Sequence, residues 1–165
     1  MASNPYNARG VWVIFISIVL AGMLAIVPLP DWLEIWRPKW MALVVIYWVI
    51  ALPHRVGLMS AWLIGFFVDV LEGSLLGLNA MTLTIVAYVA LSLYQRMRMF
   101  TPLQQSITVL MLVAVHQLFV FWVLTATSQN TAADLSFVTP AVSSALLWPL
   151  VFILLRSWRR GFNVY

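Results

Sequence analysis

The stretch WMALVVIYWVIALPHRVGLMSAWLIGFFVDVL, residues 40 to 71, decides how many times this chain crosses a membrane. Read as one span, its 32 residues form a helix of about 48 Å at about 1.5 Å per residue, against a hydrocarbon thickness of about 30 Å. Arg55 then falls near mid-membrane, where a guanidinium is expensive. Read as two spans, the stretch turns at Pro53, His54 and Arg55, because Pro ends a helix and Arg stays at the headgroup level. Length and charge both favour the two-span reading.

Working outward, apolar segments occur at 11–29, 40–52, 56–71, 78–94, 107–126 and 140–155. The expected fold is an all-α integral membrane protein, a compact bundle of six transmembrane helices in a single membrane domain covering 1–165. Composition agrees: 64% of the residues are hydrophobic and 8% charged, where soluble domains carry roughly 25% charged residues. A soluble catalytic domain has no room. The first segment follows Arg9 and precedes small residues at Ala21, Gly22 and Ala25, as a signal peptide would, but five further spans favour a retained helix. With both termini in the cytoplasm, Arg9, Arg55, Arg96, Arg98, Arg156, Arg159 and Arg160 lie inside. Only Arg37 and Lys39 lie outside, as the positive-inside rule requires. The net charge of +4 is thereby explained by topology, and no nucleic-acid partner is expected.

Two outer features follow. In DWLEIWRPKW, residues 31–40, Asp31 and Glu34 form a D-x-x-E pattern similar to a capping box. Trp32, Trp36 and Trp40 recur at spacing four, so a helix would align them on one side. An aromatic belt at the headgroups is the plainer reading, and a partner-binding lip is the sharper one. The polar segment 127–139 carries Asp134 as its single charge. At the C-terminal side, Pro149 is placed to kink the last span, and RSWRR at 156–160 is a basic juxtamembrane cluster for the cytoplasmic side, anionic lipid or a partner.

The third span has an unusual row. Gly57, Ala61, Gly65, Asp69, Gly73 and Gly77 follow one another at every fourth position. Small residues at this spacing let helix backbones approach closely, so Gly57, Ala61, Gly65, Gly73 and Gly77 are candidate helix-packing or partner-binding positions. Ser17, Ala21 and Ala25, and Ala141 and Ala145, form shorter rows. On this reading Gly65→Leu or Gly73→Leu weakens partner association while insertion persists. Asp69, with Glu72 one turn on, is the intramembrane charge, and three roles stand open: a buried hydrogen-bond donor, a ligand or cation site open to the outside, or a cap on the following turn. His116 and Gln117, mid-span in the fifth segment, complete the candidate polar site, either through interhelical hydrogen bonds or by lining a cavity. His54 and His116 are spans apart, and no H-E-x-x-H, G-x-S-x-G or P-loop pattern occurs. The absence of cysteine excludes disulfides, Fe–S centres and thiolate zinc sites. No catalytic residue, metal site or cofactor is expected.

The segments RPKWMALVVIYWVIALPHRVG at 37–57, GFFVDVLEGSLLGLNA at 65–80 and LLWPLVFILLRSWRR at 146–160 resemble the rod shape-determining MreD family. The likeness extends over essentially the whole chain. It implies a non-enzymatic, multi-pass subunit of the bacterial inner membrane that binds MreC. Through a wider complex with MreB, RodZ and the elongation glycosyltransferase and transpeptidase, it would help coordinate lateral peptidoglycan synthesis and cell shape. In helix count and compactness the expected bundle is also similar to the substrate-binding subunits of energy-coupling-factor transporters, an analogy of fold alone. The alternative function is a small-molecule or lipid-binding transport subunit, with Asp69 and His116 polarising a cavity.

Overall fold

A computed structural model describes residues 5–127 and 138–162, with side chains from Gly10 onward. Arg9's side chain, Asp134 and most of the 127–139 segment lie outside the described residues. Those described form seven helices and no strand: α1 (Pro5–Ile26), α2 (Asp31–Glu34), α3 (Trp40–Ala51), α4 (Leu58–Glu72), α5 (Leu78–Met99), α6 (Pro102–Ala126) and α7 (Thr139–Gly161). By length and apolarity α5, α6 and α7 each suffice to cross a membrane, while Gly10–Ile26 and Trp40–Ala51 are shorter apolar helices.

α3 is the centre. Every residue from Met41 to Ile50 is buried, and α1, α5, α6 and α7 all pack against it. WMALVVIYWVIA presents no polar side chain on any face except the Tyr47 phenol and the Trp40 and Trp48 indoles, as a helix enclosed on all sides requires. The most extensive helix pairs are α4 with α5 and α6 with α7. One end of the bundle gathers Asp31, Glu34, Asp69 and Glu72, and the other gathers Arg55, Arg98, Arg156 and Arg159.

Inside lipid, exposed backbone groups at helix ends find no water, so side chains must reach them. Arg37 does this for α1, donating to the carbonyls of Ala25 and Val27 while pairing with Glu34 at 2.8 Å. Arg98 does it for α3, donating to Ile50 O at 3.1 Å and Ala51 O at 3.0 Å. The small residue at Ser17 has a similar use. Its hydroxyl accepts from the buried Trp48 indole at 2.7 Å and donates to Ile14 O at 2.7 Å. Ser17→Ala leaves that indole N–H without its acceptor. The expected loss of stability is about 1–3 kcal/mol, read from thermal unfolding in detergent, and Trp48→Phe in the same background should add little for the missing bond.

Two local expectations are corrected. The D-x-x-E pattern at Asp31 and Glu34 is not a capping box: Pro30 occupies the N-cap, its carbonyl accepts from Leu33 N and Glu34 N, and no side chain caps the turn. Glu34 pairs with Arg37 instead. A capping box does occur at Thr101 and Gln104, opening α6 just before Pro102. Nor do Trp32, Trp36 and Trp40 share one helix. α2 has four residues, Pro38 separates it from α3, and Trp40 starts α3 while Trp32 and Trp36 stay exposed. The helix ends also move: α5 runs five residues past Tyr94, to Met99, and α7 continues through Pro149 to Gly161.

Candidate polar site and helix-packing surface

α4 is lipid-like on most of its circumference and buries one stripe, Ala61, Gly65, Val68 and Asp69, against α5. The stripe is small because the helices touch. A Cβ at Gly65 would lie 2.4 Å from Ala80 Cα, 2.5 Å from Asn79 O and 2.7 Å from Ala80 N. These are backbone atoms, so no rotamer change relieves them.

One turn further, the chain reverses. α4 ends on Gly73 at φ +62°, and α5 begins after Gly77 at φ +95°, both in the left-handed region that L side chains rarely adopt. Gly77 has no side chain with which to cap α5. Asp69 supplies the cap from the neighbouring helix. Its Oδ1 accepts from Asn79 N at 2.9 Å and Ser74 Oγ at 2.7 Å. Its Oδ2 accepts from Gly77 N at 2.9 Å and Ala80 N at 3.3 Å. The Asp69 backbone carbonyl receives Gly73 N and Ser74 N, closing α4 with the same residue. Three orphan amides at the N-terminus of α5 thus converge on one carboxylate, where the helix dipole also favours negative charge. Asn79 extends the network to Ser74 Oγ at 3.3 Å and Glu72 Oε2 at 3.4 Å.

The remaining candidates are dispersed. Gly57 is the extended N-cap of α4, where its carbonyl accepts from Ser60 Oγ at 2.8 Å. Pro53, His54 and Arg55 form the turn between α3 and α4, with Arg55 N and Val56 N both donating to Leu52 O. His116 and Gln117 are buried in α6, where His116 Nδ1 contacts its neighbour's Oε1 at 3.4 Å. His116 also borders a small cavity of about 30 Å³ shared with Lys39, Arg37, Glu72, Asn79 and a larger apolar lining. That volume suits about one water, whereas small-molecule pockets run to roughly 300 Å³ and more. Asp69 does not line it. Among the described residues no group of three or more His, Cys, Asp or Glu is placed to hold a metal ion.

Sequence reasoning overlooked the paired cap at Thr101 and Gln104, and Gln105 beside it. Gln105 links helix ends by donating to Met97 O at 2.9 Å and accepting from Trp148 Nε1 at 3.3 Å. The signal was available: three polar residues, Gln104, Gln105 and Ser106, follow Thr101-Pro102-Leu103, just before an apolar span was to begin.

These observations define a class: a multi-pass helical membrane protein whose buried polar side chains secure helix ends and helix pairs. The sequence matches the family described as rod shape-determining protein MreD over residues 6–158. It is also 34% identical over 148 residues to the Haemophilus influenzae rod shape-determining protein MreD, covering 89% of this chain and 90% of that relative. No solved structure matches. The chain belongs to the MreD family.

Proposed function

We propose that this chain is a non-enzymatic scaffold subunit of the complex that directs lateral peptidoglycan insertion at a bacterial inner membrane. It crosses that membrane six times with both ends in the cytoplasm. The positive-inside rule supports the orientation, since Arg55, Arg96, Arg98, Arg156, Arg159 and Arg160 follow the helix ends on one side, against Arg37 and Lys39 on the other. α3 and α4 are short for spans, about 18 and 22 Å long at about 1.5 Å per residue. α3 tolerates this because protein surrounds it, and α4 because the bilayer thins beside it.

The observation that carries the scaffold reading is how the side chains are used. Asp69, Arg37, Arg98, Ser17 and Gln105 are committed to holding the bundle together, which leaves apolar outer faces and exposed Trp32 and Trp36 for partners. The first partner is the bitopic protein MreC. Its single membrane helix fits the apolar groove of about 770 Å³ between α1 and α4, lined by Val11, Ile14, Phe15, Ile18, Leu63 and Ile64. Trp32 and Trp36 meet it at the outer surface. MreB, RodZ and the elongation glycosyltransferase and transpeptidase join through the wider complex.

Co-expression with tagged MreC tests this reading. Ile14→Trp with Leu63→Trp fills the groove from its lipid-facing side and is expected to reduce recovered complex at least tenfold, with the yield of the chain itself unchanged. Trp32→Ala with Trp36→Ala should give a smaller loss. Full recovery of MreC with both pairs would overturn the assignment.

A further inference from the structure

At the end of the bundle opposite Asp69, the last turns of α3, α5 and α7 and the first turn of α6 enclose an open cleft of about 390 Å³. One wall is basic, formed by Arg98, Arg156 and Arg159, and the other is apolar, formed by Ile50, Ala51 and Phe152. Tyr47 and Gln105 complete it, and both are nearly fully buried. The Tyr47 ring is held edge-on by Trp48 and Phe152, at centroid distances of 5.3 and 5.8 Å. Its hydroxyl has no hydrogen-bond partner among the described residues.

Among the described residues the arginines are positioned but not neutralised. Arg98 is fixed by the Ile50 and Ala51 carbonyls, and Arg156 lies over the Phe152 ring at 5.9 Å. Neither contact supplies negative charge. The chain has five acidic residues. Of the four that lie among the described residues, Asp31, Glu34, Asp69 and Glu72, none lines the cleft. Among the described residues, then, no carboxylate serves as counter-anion to this cleft.

We propose that the cleft binds the phosphate of an anionic phospholipid headgroup. The phosphate oxygens accept from the guanidinium of Arg159, from the free donors of Arg98 and Arg156, and from the Tyr47 hydroxyl, while the glycerol and first methylenes lie on Ile50, Ala51 and Phe152. A phospholipid suits this lining better than a free phosphate because one wall is apolar, and because the cleft lies where helix ends meet the headgroups. Met99 and Leu103, 79% and 73% exposed, flank Arg98 and Gln105 in sequence and continue the apolar surface. Interhelical basic pockets on the cytoplasmic side of membrane proteins suit anionic headgroups in just this way.

The test is a lipid titration of the purified full chain in neutral detergent, read by native mass spectrometry. Phosphatidylglycerol should bind at least tenfold more tightly than phosphatidylcholine. Arg156→Gln with Arg159→Gln should weaken it by roughly 25-fold, about fivefold per arginine. Arg96→Gln, exposed on α5 but outside the cleft, changes the same charge and should alter affinity less than twofold. Tyr47→Phe keeps the ring and its packing and should cost two- to fivefold, which holds the test open if the arginine pair fails to fold. Equal losses with Arg96→Gln would overturn the site in favour of diffuse charge attraction. Unchanged affinity in Tyr47→Phe together with Arg159→Gln would overturn it outright. Stoichiometric displacement of the lipid by millimolar inorganic phosphate would overturn the lipid as the source of the anion.

Discussion

Asp69→Asn is expected to destabilise the protein by about 2–6 kcal/mol, because the amide nitrogen turns donor against donor at two of the four hydrogen bonds that the carboxylate accepts. Whichever way the amide is flipped, one of its ends faces either Asn79 N–H with Ser74 Oγ or Gly77 N–H with Ala80 N–H. Each buried donor deprived of its acceptor costs about 1–3 kcal/mol, and lipid offers no water to replace the bond. Ser74 can rotate its hydroxyl away, so the orientation that strands Ser74 and Asn79 is the less costly. Ser74→Ala, by contrast, removes one neutral donor from a carboxylate that keeps three, and should cost about 1 kcal/mol. The measurement is thermal unfolding of both variants in the same detergent. A wild-type melting curve for Asp69→Asn, with cell shape lost, would mean that the carboxylate serves a partner or ligand rather than the α4–α5 turn.

That prediction settles on one of three roles which the sequence left open, and the reason is geometric. A row of small residues at spacing four announces a close helix contact, but it does not say with what. Gly65 and Asp69 lie on the same stripe, so one neighbour takes both, and the neighbour is the next helix in the chain. The clue was the absence of a capping side chain at Gly77 together with an acid eight residues earlier, a distance that only becomes short once Gly73 and Gly77 reverse the backbone. The helical character and the turn at Pro53 were legible because composition and proline act locally. The central place of α3 was not, since an apolar helix looks the same to lipid as to protein. The capping pattern at Asp31 misled because Pro30 fixes the preceding backbone in an extended conformation and Arg37 competes for Glu34. The arginine cleft was half visible: RSWRR stood out as a basic cluster, but Arg98 and Tyr47 join it only through the packing of α3, α5 and α7.

Gly65→Ala should be the most damaging single-methyl change in the chain, and Gly65→Leu should abolish accumulation of folded protein. Substituting Ala usually favours a helix, by about 1 kcal/mol relative to Gly. Here the new methyl meets Ala80 Cα at 2.4 Å and the Asn79 carbonyl at 2.5 Å, so α4 and α5 have to separate by the better part of an ångström before it fits. Separation is not a local adjustment. It lengthens the bonds from Gly77 N, Asn79 N and Ala80 N to the Asp69 carboxylate one turn away, so the overpacking cost of about 1–3 kcal/mol adds to the loss of the cap. The two variants should therefore be coupled: Gly65→Ala combined with Asp69→Asn is expected to cost less than the sum of the single changes. Gly57→Ala is the control, since nothing lies within 4 Å of the methyl it adds, and it should leave both expression and unfolding near wild type. The comparison is read from the monodisperse fraction of fluorescent fusions on size exclusion. A Gly65→Leu protein that remained monodisperse and lost only its partner would place the small-residue row on an intermolecular surface, and would exclude the α4–α5 contact as its purpose.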